Sequence, residues 1–435
     1  MAEINKHSKI GMLHQLDLFR LPHTQGIVEK TRYVSLYTSS SDPNVSPLEF
    51  TIPESGQDFI DLSRCKLDIT LCIELNKSAI TSEHDVGPIN ILLQSLFSQV
   101  DMFMNHVRVT SSTTNYAYRA YIPLMLSTNA ESKETFLSTQ LFAKDSGTMD
   151  ATNTAKGGTN TGLISRAQYL SEGKKLQLVG PLYTDISQSK RWLIPGVTTR
   201  ISLYRNVDSF VLMSPQKHDF KVVIKQAKLI ACYCTLFKEA YLANEAALSI
   251  NPANYPLTNT VLKNYSLPGT ETEKVFNDVF SGKIPEKVVI GFVRDDAYSG
   301  SFEKNPFNFQ NFNAKFIGVY QNGEPVPGRA FEPKFNGTSE LDTKYVDCYE
   351  ALLRLTGGFS PVDITRTDFA EGYAFFCFDI EHNPNSEGML SLYKTGNLSV
   401  EIKLKDSLTF TIQVIIVGTL PYVMKINKKR EIILE

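Results

Sequence analysis

The sequence predicts an all-β protein made of two similar domains in tandem, and two observations carry that expectation. The first is alternation. In Lys66-Leu-Asp-Ile-Thr-Leu-Cys-Ile-Glu74, the residues Leu67, Ile69, Leu71 and Ile73 share one face and the other face is mostly polar. Such period-two patterning marks a strand with one side on a core and the other toward water, as in antiparallel sandwiches and barrels. It recurs at residues 200–205, 220–224, 400–405 and 410–416, and no parallel strand-helix-strand rhythm accompanies it.

The second observation is duplication. After the strand around Leu67 come Pro88-Ile-Asn90, Val100-Asp-Met-Phe-Met-Asn105, Tyr121-Ile-Pro-Leu124, Ile201-Ser-Leu-Tyr204 and Phe220-Lys-Val-Val-Ile224. After a strand around Val288 come Pro306-Phe-Asn308, Ile317-Gly-Val-Tyr-Gln-Asn322, Tyr349-Glu-Ala-Leu352, Ile402-Lys-Leu-Lys405 and Ile412-Gln-Val-Ile-Ile416. Each match alone is weak, but five in one order mark a repeated fold. A length of 435 residues fits two domains of about 200 residues each.

The remaining elements follow from this frame. Helices are expected at 116–126 and 345–355, in equivalent places of the two copies, with a third at 238–248 where the copies meet. Asn105-His106 and Asn322-Gly323 read as hairpin turns, the second with the Asn-Gly preference of type I′. The stretch 145–165 is small, polar and glycine-rich, and it predicts an exposed, mobile loop. It belongs to the larger insertion of copy one: 80 positions separate Tyr121 from Ile201, but only 53 separate Tyr349 from Ile402. Before the first strand, Ile10, Met12, Leu13, Leu16, Leu18 and Phe19 form a greasy arm ahead of Pro22. It lies either on its own domain or on a neighbouring subunit or membrane surface. The expected division is an arm at 1–30, a first domain at 31–237, a partly helical linker at 238–256, a second domain at 257–424 and a basic tail at 425–435.

Composition restricts the function. Hydrophobic residues make up 42% and charged ones 21%, a globular balance, and a formal charge of −2 lacks the excess that draws a whole chain onto nucleic acid. The only dense positive run is Lys425, Lys428, Lys429 and Arg430, read as a solvated tail or as an inward contact with nucleic acid or acidic neighbours. The beginning, Met1-Ala-Glu-Ile-Asn-Lys-His7, lacks the layout of a secretory signal, and no apolar run approaches the roughly 18 residues of a membrane span. The expected setting is a reducing, soluble compartment.

Chemistry-bearing groupings are few. Cys65, Cys72, Cys232, Cys234, Cys348 and Cys377 sit mostly in apolar strand patterns as small hydrophobes, although Cys232 and Cys234 share a face and admit a metal or disulfide role. His7, His14, His23, His84, His106, His218 and His382 show no metal spacing, and no Gly-x-Ser-x-Gly elbow occurs. Gly282-Lys283 lacks the rest of a phosphate loop. Asp295-Asp296 reads as a turn after a strand more readily than as an acid/base or calcium pair. No catalytic, cofactor-binding or metal residue is assigned.

Several segments resemble the capsid-type proteins of Polinton (Maverick) elements and adintoviruses. They are His14-Gln-Leu-Asp-Leu-Phe-Arg-Leu-Pro22, Leu96-Phe-Ser-Gln-Val-Asp-Met-Phe-Met-Asn105, Tyr118-Arg-Ala-Tyr-Ile-Pro-Leu-Met-Leu-Ser127, Lys304-Asn-Pro-Phe-Asn-Phe-Gln-Asn-Phe312 and Ala370-Glu-Gly-Tyr-Ala-Phe-Phe-Cys-Phe-Asp379. The resemblance spans nearly the whole chain. It implies a double jelly-roll major capsid protein: two tandem eight-stranded jelly rolls per chain, three chains per pseudo-hexagonal capsomer, and capsomers tiling an icosahedral virion shell. The implied partners are the chain itself and penton or other minor capsid proteins, and 145–165 becomes the best candidate for an exterior loop. The implied place is the virion, after synthesis in the host cytoplasm. The rivals are a carbohydrate-binding or glycan-cleaving β-sandwich, which the single Trp192 disfavours, and a penton-like protein, which needs only one copy of the pattern.

Overall fold

A computed structural model describes residues 13–434 other than 20, 22, 111–113, 156, 217, 337–342, 358–361 and 381–392. His7, Ile10, Met12, Pro22 and His382, named above, lie outside the described residues.

Alternation becomes sheet in both halves. In the first, Val28–Tyr37, Phe220–Leu236, Lys66–Leu75 and Leu176–Gly180 lie side by side in that order, all antiparallel. A second layer runs Leu48–Ile52, Thr199–Arg205, Phe97–Met104 and Val107–Arg108. The second half repeats this with Ala253–Leu267, Ile412–Ile426, Lys287–Arg294 and Phe376–Asp379. Its other layer is Glu273–Phe276, Leu398–Leu404, Ala314–Gln321 and Glu324–Pro325. Taken in chain order, the eight principal strands of each half are arranged first-eighth-third-sixth and second-seventh-fourth-fifth. That is the jelly-roll connectivity, present twice.

Leu67, Ile69, Leu71 and Ile73 are all buried, and they meet Phe50, Met102, Ile201 and Leu203 of the facing layer in the core. The five repeated motifs fall on equivalent elements, with one refinement of register. Both hairpins turn at the expected asparagines, Asn105 at φ 53° and Asn322 at φ 51°. Counted from those turns, Leu203 pairs with Val100 and Ile402 pairs with Ile317. The partner of Ile402 in copy one is therefore Leu203, two residues beyond Ile201. An even slip leaves the same face inward, which is why the motif match survived it.

The expected helices form at Tyr116–Ser127, Val346–Leu355 and Lys238–Ile250. The outer boundaries differ from the expected division. The first strand begins at Val28 rather than 31, and the second half begins at Ala253 inside the expected linker. The segment 425–435 is not a free tail. Strand Ile412–Ile426 runs through Lys425, and Ile432–Leu434 folds back to pair with residues 424–426, because Ile426 and Ile432 are both buried.

Candidate assembly surfaces

The two jelly rolls meet along an aromatic seam. On the helix Tyr116–Ser127, Tyr118 and Tyr121 are three residues apart and so share a face. Tyr121 stacks on Phe307 with ring centroids 4.0 Å apart, and Tyr118 stacks on Tyr298 at 5.6 Å while meeting Phe307 and Phe309 edge-on. Phe309 in turn lies over Gly291 of the second half, where a Cβ would come within 2.6 Å of the ring. Burial puts the Tyr118 hydroxyl well above its ordinary pKa, and that hydroxyl has no hydrogen-bond partner among the described residues.

Polar pins flank the rings. Arg119 binds Asp185 at 2.5 Å and donates from Nε to the Thr260 carbonyl, while the Thr260 N–H donates to Asp185. Asn115 donates to Asn264, and the Tyr298 hydroxyl donates to Asn115. Farther along, Lys144 bridges Asp363 at 2.9 Å and Asp368 at 2.8 Å, and Lys133 lies 3.6 Å from Asp363. Burial pushes the Lys133 ammonium down to about 8 despite Asp363, whereas for Lys144 the same burial is outweighed by hydrogen bonds to Asp368 and Asp363, which hold its pKa up. Groups this committed join the halves into one unit.

The stretch 145–165 overturns the expectation of a mobile loop. Asp145 and Arg166 form a fully buried ion pair at 2.7 Å, and Asn90 and Asn305 both donate to Asp145, so the pair ties the insertion to both halves. Asp150 accepts from the Asn305 N–H and pairs with Lys304, and Met149 is buried against Gly372. A helix, Thr161–Leu170, starts within the segment, capped by Asn160. The segment is poor in apolar residues and packs largely through hydrogen bonds, with Met149 and Leu163 as its buried apolar contacts; composition alone registered only the scarcity of apolar material. Exposed residues remain at 146–148, 153, 155, 157, 159, 161 and 165.

Other surfaces are uncovered. In the arm, Leu13, Leu16, Leu18, Phe19 and Leu21 are exposed, Phe19 at 95%, so among the described residues the arm does not pack on its own domain. The helix Lys238–Ile250 buries only Leu248. Tyr33 and Tyr37 stand exposed on the first strand at 59% and 66%. Arg430 is committed: it bonds Glu245 at 2.7 Å and the Pro195 carbonyl, and Asn105 donates to its own carbonyl. Lys428 and Lys429 are exposed beside it, so the four cations do not form one free basic patch.

The remaining sequence candidates are dispersed. Asp295 and Asp296 open a short helix; Gln413 donates to the first and Arg294 holds the second through two bonds, so they face different partners. All six cysteines are buried free thiols; burial pushes Cys65 up to about 12 and Cys232 up to about 11. Among the described residues no three metal-ligand side chains group together, and no helix is long and apolar enough to cross a membrane. A hollow of about 660 Å³ opens on the seam between Arg119, Pro123, Lys190 and Thr258; its one carboxylate, Asp185, is bound by Arg119 and Thr260. The sequence reading takes Tyr121 and Phe307 as parts of the repeated pattern, and the seam residues as part of the family-like one, without bringing them together as a joint. The signal available in the sequence was tyrosine at 118 and 121 on a helix opposite phenylalanine at 307 and 309.

Two jelly rolls of one connectivity in one chain define the double jelly-roll fold, which this protein has. Solved structures share it across their whole length. A chain of the Sputnik virophage superposes with a TM-score of 0.63 over 100% of this chain and 94% of its own at 13% identity. The mavirus major capsid protein gives 0.56 over 100% and 97% at 11% identity. The Faustovirus major capsid protein gives 0.53 over 93% and 92% at 9% identity. In sequence, the chain is 22% identical over 397 residues to an uncharacterized protein of Caenorhabditis elegans, covering 88% of this chain and 92% of that one. No family model matches.

Proposed function

We propose that this protein is a structural major capsid protein of the Polinton and adintovirus type, which trimerises into pseudo-hexagonal capsomers and tiles an icosahedral shell. One observation carries the reading: two jelly rolls of identical strand order are locked side by side by a buried aromatic seam. A rigid pair presents two similar outlines per chain, so three chains approximate a hexagon from one gene product. The full-length likeness to major capsid proteins supports this, and so does the commitment of the buried carboxylates to structural pairs rather than to an open cleft. The exposed apolar arm serves as a tether to a neighbouring capsomer or an inner layer. Penton and other minor capsid proteins are the further partners, and Lys428 and Lys429 are left for a weak contact with nucleic acid or an inner layer. Its place is the virion.

Light scattering of the purified chain tests the reading, with an expected mass of three times 48.8 kDa. Negative-stain images of hexagonal capsomers or closed shells would extend it. A monomer that binds glycans would replace it with the carbohydrate-binding alternative, and a fivefold ring would replace it with the penton-like one.

A further inference from the structure

A furrow follows the seam between the two jelly rolls, and one of its walls is a sheet edge with backbone groups to spare. The hollow of about 660 Å³ shares Pro123, Ser127, Thr258 and Thr260 with a neighbour of about 640 Å³, and it shares Lys190 and Arg191 with one of about 430 Å³ that reaches Trp192 and Tyr255. Residues 253–260 of the strand Ala253–Leu267 contribute to all three hollows. That strand is the outermost of its sheet, paired with Ile412–Ile426 on one side only.

Bonds already made fix where its backbone groups point. The Thr260 N–H donates to Asp185, the Thr260 carbonyl accepts from Arg119 and the Asn254 carbonyl accepts from Arg191, so Asn254 and Thr260 turn away from Ile412–Ile426. Backbone direction alternates along a strand, so Pro256 and Thr258, at even spacing between them, turn outward too. The register agrees: Pro256 has no N–H for a ladder, and Pro421, opposite Thr258, has none to give it. The Thr258 N–H and C=O and the Pro256 C=O therefore face the furrow, and among the described residues no hydrogen bond reaches them from the first half. An edge left in this state is a template for another strand. The lining adds charge. Lys190, Arg191 and Lys287 are exposed along it, and its single carboxylate, Asp185, is already bound by Arg119.

We propose that this furrow takes an extended acidic peptide, which adds as a strand to the edge at residues 254–260, lays apolar side chains against Pro123 and Leu124, and sets carboxylates against Lys190 and Lys287. Both walls belong to one chain, so the site stands independently of the capsomer reading.

The test is fluorescence polarisation with the full chain and a labelled ten-residue peptide of alternating valine and glutamate. Saturable binding is expected. It should be about tenfold or more weaker for the same peptide with lysine in place of glutamate, and for one N-methylated at alternate residues, which cannot pair with an edge. Lys190→Glu combined with Lys287→Glu is expected to reverse the preference between the acidic and basic peptides. Thr258→Pro, which removes the outward N–H, is expected to weaken the acidic peptide about tenfold while circular dichroism stays that of the folded chain. Absence of saturable binding, or binding unmoved by N-methylation and by the charge reversal, overturns the assignment. Tighter binding of a peptide spanning residues 13–22 of this chain also overturns it and gives the furrow to the arm of a second copy.

Discussion

The helix Tyr116–Ser127 and the helix Val346–Leu355 occupy the same place in the strand order of the two jelly rolls, yet the first buries nine residues and the second only Cys348, Ala351 and Leu352. The sheets beside them differ in the same way. In the second half the outward face carries Val289, Val293, Ile415 and Val417, all buried. In the first half the corresponding face carries Asp68, held by Lys228 at 3.1 Å and by Gln177, and Glu74, held by Lys225 at 2.6 Å. A duplicated fold thus has one apolar side made for a permanent joint within the chain and one polar side that keeps a free chain in water.

Experiments that break the asymmetry should differ in scale. The largest effect is expected from Asp145→Ala, which leaves Arg166 buried and unpaired and lets go of Asn305 across the seam. A loss of about 3–5 kcal/mol in urea unfolding is expected. Phe307→Ala empties the space beside Tyr121 and is expected to cost about 3–5 kcal/mol. Its counterpart Val346→Ala, on the uncovered helix, is expected to change the unfolding of the isolated chain by no more than about 0.5 kcal/mol.

A pH series sharpens the picture of the seam. With Lys133 held down to about 8 in the folded chain against an ordinary value of 10.5, the unfolded chain binds more protons between those values, so stability rises with pH across that window. Melting temperatures of the wild type and Lys133→Met, followed from pH 7 to 10, are expected to shift in favour of the wild type above pH 8. A constant difference would show that Lys133 titrates normally. The smallest effect is expected from Tyr118→Phe, which keeps every ring contact and removes an unpartnered buried hydroxyl. Calorimetry is expected to find it neutral or slightly stabilising.

The asymmetry was partly written in the sequence. Lys66–Glu74 alternates, whereas Val288-Val-Ile-Gly-Phe-Val293 is an unbroken apolar run, the pattern of a strand covered on both faces. The duplication, the alternating strands, the three helices and both asparagine turns were legible because each is a local pattern. The loop at 145–165 was not, since Asp145 finds Arg166, Asn90 and Asn305 only after the chain has folded. The same holds for Arg430, whose partners Glu245 and Pro195 lie far away in sequence.

The sequence by itself determined a twice-used β architecture, because burying one face of a strand imposes a two-residue rhythm that any reader of the chain can see. Tertiary structure alone decided which copy of each surface is consumed within the chain and which is left open. That choice depends on how one jelly roll is turned against the other, and orientation between domains is set by contacts such as Tyr121 on Phe307, between residues far apart in the chain.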